Sequence, residues 1–95
     1  MDLLTFVRYF ANSPVRRDVI AYFAHRLEAV TTARDVALRT GHRLQAVQDE
    51  MDDLVLLGLL EVEGKGEERR YRLAEDACLR RMVQRLGNCY RDEEC

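Results

Sequence analysis

The side chains best able to do covalent or metal chemistry in this 95-residue chain are three cysteines, Cys78, Cys89 and Cys95, and two histidines, His25 and His42. Their spacing supports neither. A structural zinc site asks for ligands paired roughly two to four residues apart, and the chain has no Cys-x-x-Cys pair. An odd number of thiols late in the chain gives no disulfide framework. Reduced thiols are therefore expected, with Cys78 a small buried residue on a C-terminal helix and Cys89 and Cys95 exposed in a polar tail. No Ser/His/Asp set and no phosphate-cradling glycine loop is visible, and Gly64-x-Gly66 reads as a turn. The expectation is no enzyme, no cofactor and no metal site.

What remains is hydrogen bonding and charge, and both are unevenly placed. Net charge is −2. Residues 42–58 hold one arginine, Arg43, against Asp49, Glu50, Asp52 and Asp53, whereas Lys65, Arg69, Arg70 and Arg72 balance Glu61, Glu63, Glu67 and Glu68 in the next segment. Residues 1–41 carry the basic excess, with Arg16, Arg17, Arg34 and Arg39 among their cations.

Periodicity says which elements hold these groups. Apolar residues are 47% and charged residues 34% of the chain, enough for one core and a solvated surface. No apolar run approaches the roughly 20 residues needed to cross a bilayer, and Met1 to Asn12 lacks the pattern of a signal peptide, so a cytoplasmic protein without a membrane partner is expected. Residues 1–12 read as an amphipathic helix with Leu3, Leu4, Phe6, Val7 and Phe10 on one face. Ser13-Pro14 then offers a cap and a first helical residue, ahead of Val15, Val19, Ile20, Phe23 and Leu27. Thr32 with Asp35 resembles a capping box for a short helix that Gly41 ends. A third helix follows with Leu44, Val47, Met51, Leu54 and Val55 as its stripe, closed by Gly58. The period then falls to two, for strands around Leu60–Val62 and Tyr71–Leu73. A last helix over 75–87 uses Ala77, Cys78, Met82, Val83 and Leu86, with Gly87 and Asn88 stopping it and 88–95 as a polar tail.

The order helix, helix, tight glycine turn, helix, hairpin, helix matches a known plan at the level of single positions. Val36 and Ala37, Gly41 four residues after the alanine, Val47 six after the glycine, then Met51, Leu54 and Gly58-Leu59 reproduce its spacing. From Val19 to Leu73 the chain resembles the arsenical-repressor-like, PadR-like and MarR-like bacterial transcriptional regulators. The resemblance implies a mainly α winged helix-turn-helix domain over 13–74 with a small β-hairpin wing, plus an extra N-terminal helix. It further implies a third helix in the major groove of double-stranded DNA and a wing on the backbone.

The positions matching the family's base-facing ones are Gln45, Ala46, Gln48, Asp49 and Glu50. Glutamine can pair with adenine N6 and N7, and a carboxylate can accept from cytosine N4. Lys65, Arg69 and Arg70 are the candidate wing contacts. Two departures stand out: residue 42, apolar in the family's turn, is His, and the third helix carries four acids where cations are common. A homodimer is expected through the outer helices, with Leu3, Leu4, Phe6, Val7, Phe10, Met82 and Leu86 at its surface. The competing reading is a protein-interaction module whose acidic third helix docks a basic protein partner.

Overall fold

The computed structural model describes residues 2–92, with side chains to Cys89. Its elements are α1 (Leu3–Phe10), α2 (Pro14–Ala24), α3 (Ala33–Thr40), α4 (Leu44–Leu56), β1 (Leu60–Glu63), β2 (Arg70–Leu73) and α5 (Ala77–Asp92). Local chemistry sets most boundaries. Ser13 Oγ accepts from the Arg16 amide at 3.1 Å and Pro14 opens α2. Thr32 Oγ1 accepts from the Asp35 amide at 3.2 Å, and Asp76 Oδ1 from the Leu79 amide at 3.0 Å. These acceptors satisfy amides that a helix start leaves without intrahelical partners. Arg43 precedes α4 and caps nothing with its side chain, as a residue lacking an acceptor must.

Thr32 and Asp35 form only half of the expected capping box. The Asp35 carboxylate turns away from the cap and accepts instead from Tyr22 Oη at 3.1 Å, Thr31 Oγ1 at 3.2 Å and Arg39 Nε at 3.3 Å. The Tyr22 hydroxyl, then Thr31 and Arg39, hold its carboxyl below the ordinary value for aspartate. The turn after α3 is pinned at both residues that make it. Gly41 sits at φ 78°, a left-handed conformation that costs glycine little. His42 Nε2 meets Asp18 Oδ2 of α2 at 2.6 Å, so the polar residue in the turn has a partner.

β1 and β2 pair antiparallel with Leu60 opposite Leu73 and Val62 opposite Tyr71. Thr31 extends the sheet by one bridge, its amide and carbonyl both bonded to Tyr71 at 3.0 and 2.7 Å. A short 3-10 turn, Gly66–Glu68, fills the hairpin tip. One core then joins every helix to the hairpin, through Phe6, Val19, Ile20, Phe23, Val36, Val47, Met51, Leu54, Tyr71, Leu73, Met82 and Val83. None of the helices among the described residues is long and apolar enough to cross a membrane.

The outer helices differ most from expectation. Gly87 does not stop α5, which runs on to Asp92. A Cβ on Gly87 would lie 2.5 Å from the Cβ of Ala24, so the glycine is where α5 crosses α2, not where α5 ends. Cys78 is an exposed free thiol and not a core residue, and Cys89 is disulfide-bonded, against the expectation of a reduced thiol; Cys95 lies outside the described residues. Phe6, Phe10, Met82 and Leu86 are buried within the chain's own core.

Candidate nucleic-acid interface

The face that α4 presents follows from its helical phase. Val47, Met51 and Leu54 are fully buried, leaving Gln45 and Asp49 exposed on the opposite side and Ala46, Gln48, Glu50 and Asp52 half-buried at the margins. The four acids thereby take different surroundings.

Glu50 and Asp53 lie on the margin next to α2, where Arg16 is 9% exposed. Arg16 Nε donates to Glu50 Oε2 at 2.6 Å and its Nη2 to Asp53 Oδ2 at 3.2 Å. A guanidinium stays charged and directs its donors in a fixed fork, so one buried cation serves two carboxylates. Burial of that cation is tolerable only because both partners are present.

Asp52 lies on the other margin, toward the wing. Its Oδ1 accepts from Tyr71 Oη at 2.6 Å, and its Oδ2 is 3.5 Å from Arg69 Nη2. The Tyr71 ring is buried; desolvation and the adjacent Asp52 carboxylate push its phenol up to about 12. Arg69 also donates from Nε to the Gly66 carbonyl at 3.1 Å and stands 5.9 Å from the Tyr71 ring centroid. Between α3, α4 and the wing, Ala33, Leu44, Gln48 and Tyr71 help line a cavity of about 20 Å³, room for about one water molecule. The wing is seated on the helix.

Of the sequence-predicted wing contacts, Arg69 is thus half-buried and engaged with α4, while Lys65 and Arg70 are exposed and have no ion pair among the described residues. Arg72 bridges to Glu61 across the hairpin at 3.0 Å, and Arg34 to Glu67 at 3.6 Å. Arg17 and Arg43 are exposed without an ion pair among the described residues. Asp49 alone of the four acids meets no cation; it accepts from Gln45 Nε2 at 2.8 Å, one turn earlier. The acidic face on which a basic protein partner would dock is broken up, because three of its four carboxylates are tied to cations of the same chain. Sequence reasoning counted Arg16 among the cations of residues 1–41 but did not link it to Glu50 and Asp53. Its signal was indirect: Glu50 and Asp53 each directly precede a core residue of α4, which places them beside the buried stripe.

Among the described residues no group of three or more His, Cys, Asp or Glu side chains is placed to hold a metal ion. The arrangement of α3, the Gly41 turn, α4 and the hairpin decides the architecture. The chain has the winged helix-turn-helix fold. Solved structures share it over nearly the whole length. The AntR antimony-specific transcriptional repressor superposes with a TM-score of 0.73 at 23% identity, over 95% of this chain and 78% of its own. The transcriptional repressor BigR from Xylella fastidiosa gives 0.71 at 17% identity, over 98% and 84%. A homodimeric winged helix-turn-helix DNA-binding domain from Mycobacterium bovis gives 0.67 at 22% identity, over 98% and 82%. No protein-family model matches the chain, and no curated protein matches it in sequence.

Proposed function

We propose that this chain is a cytoplasmic, DNA-binding transcriptional regulator and not an enzyme, acting as a dimer through α4 and the wing. One observation carries the reading: three of the four acids on α4 are engaged inside the protomer, Glu50 and Asp53 sharing the one cation of Arg16 and Asp52 held by Arg69 and the Tyr71 hydroxyl, which offsets most of their charge. The helix can then approach a polyanion with Gln45 and Asp49 foremost, Ala46 and Gln48 at its margins, and Arg17, Arg43, Lys65 and Arg70 around it. In this reading Gln45, Gln48 and Asp49 meet base edges and Ala46 allows close approach. Lys65 and Arg70 meet phosphates, and Arg69 holds the wing that carries them.

For the dimer, the residues of α1 that remain accessible supply the surface. Leu4 and Tyr9 are 60% and 56% exposed and Leu3 and Val7 are half-buried, while Phe6, Phe10, Met82 and Leu86 keep α1 and α5 in place from beneath. The M. bovis neighbour is a homodimeric DNA-binding domain, and AntR and BigR are transcriptional repressors. Titration of a labelled mixed-sequence duplex at several salt concentrations tests the main claim. Binding should weaken steeply with salt, and Lys65→Ala and Arg70→Ala should each lower the slope of log K against log salt by about one. Absence of binding even at low salt would overturn the reading. Sedimentation at micromolar concentration checks the dimer, and a monomer there removes that part.

A further inference from the structure

The exposed pair Gln45–Asp49 has a defined hydrogen-bonding polarity. A carboxylate can only accept, so the contact at 2.8 Å fixes the glutamine with its Nε2 toward Asp49 Oδ1. The groups left without a hydrogen-bond partner among the described residues are two acceptors, Gln45 Oε1 and Asp49 Oδ2, and one donor, the second N–H of Gln45 Nε2. Hydrogen-bond acceptors therefore dominate the foremost surface of α4. The helix itself, Leu44 to Leu56, contains no lysine or arginine, so it lacks the cation that pairs with guanine O6 and N7. The free cations Lys65 and Arg70 belong to the wing, and Arg43 to the residue before the helix.

In the major groove the donors to such acceptors are few: the N6 amino group of adenine and the N4 amino group of cytosine. We infer that α4 selects DNA by those exocyclic amino groups, with Asp49 Oδ2 and Gln45 Oε1 as the paired acceptors and the remaining Gln45 N–H free to donate to adenine N7. The inference rests on the DNA-binding reading above and specifies its base preference. Discrimination has two sources. A correct base gives the carboxylate a charge-assisted hydrogen bond, whereas a guanine edge sets its O6 and N7 acceptors against Asp49 and leaves the carboxylate desolvated and unpaired. Asp49 then contributes most by rejecting the wrong base.

The test begins with selection of duplexes from a random pool by the full chain, followed by affinity measurements on the selected duplex carrying single base analogues. Replacing a contacted adenine by 2-aminopurine removes the major-groove amino group and keeps the pair with thymine; affinity should fall roughly five- to hundredfold. Replacing guanines by 7-deazaguanine removes N7 and should leave affinity within about twofold. Gln45→Ala and Asp49→Ala lie on the surface, and with either variant the loss on 2-aminopurine substitution should shrink. Specific binding that ignores both 2-aminopurine at adenines and zebularine, which lacks the 4-amino group, at cytosines, or that drops with 7-deazaguanine, overturns this inference and leaves the DNA-binding reading standing. A chain that binds no duplex at low salt overturns both.

Discussion

The two halves of α4 carry the same kind of side chain and put it to opposite use. In the second half, Glu50, Asp52 and Asp53 point along the margins of the helix and are held by Arg16, Tyr71 and Arg69. In the first half, Asp49 stands at the surface with only a glutamine beside it. A segment charge of −3 treats the four as equal, yet three are internal counter-ions that fasten the helix to α2 and to the wing. What a polyanion meets is set by helical phase and by partners distant in sequence, not by the count of acids.

Removing the partner on the α2 side should give the largest effect. Arg16→Ala leaves Glu50 and Asp53 against a surface from which the cation has gone, and urea denaturation should show a loss of about 2–3 kcal/mol, below the full value for a buried pair because both acids reach water. A loss under about 0.5 kcal/mol would place Glu50 and Asp53 with Asp49 and erase the contrast. On the wing side Tyr71→Phe deletes one hydrogen bond to a carboxylate and should cost about 1–2 kcal/mol. Amides of β2 should exchange faster in that variant while those of α2 do not.

The same tyrosine gives a pH signature. The unfolded chain releases a tyrosine proton near 10.0, whereas the folded chain holds that of Tyr71 to about 12. The stability this group contributes is complete below pH 10 and is lost as pH rises toward 12. Wild type should therefore lose stability across that window more steeply than Tyr71→Phe; parallel curves would deny that burial and the Asp52 carboxylate together raise this phenol. The smallest effect belongs to the first half of the helix: Asp49→Ala should change stability by no more than about 0.5 kcal/mol, the range of an exposed i,i+4 pair. A larger loss would mean that Asp49, too, is structural.

Local signals explain why most of the architecture could be read in advance. Ser13-Pro14, Thr32 and Gly41 act on their own few residues, and each marks its boundary as expected. Contacts between distant elements were harder. Arg16 is separated by 34 and 37 residues from the acids it serves, and no periodicity within α2 announces a buried cation. Gly87 was misread because glycine after an apolar stripe usually marks a helix end; the competing cause, Ala24 facing it from α2, lies 63 positions earlier. Cys78 belongs by spacing to the apolar positions of the last helix, yet it lies in the first turn of α5, where the helix is still exposed.

The contact between Gly87 and Ala24 also sets a gauge for the helical layer. With no side chain on one helix and a single methyl on the other, the separation of α5 from α2 is fixed by main chain, which cannot change rotamer to absorb a displacement. Gly87→Ala would raise intrinsic helix propensity by up to about 1 kcal/mol, but overpacking of this kind costs about 1–3 kcal/mol. Spacing would outweigh propensity. The same α2 that Gly87 meets through Ala24 near one end carries Arg16 near the other, so a single helix is the common neighbour against which both α5 and α4 are set.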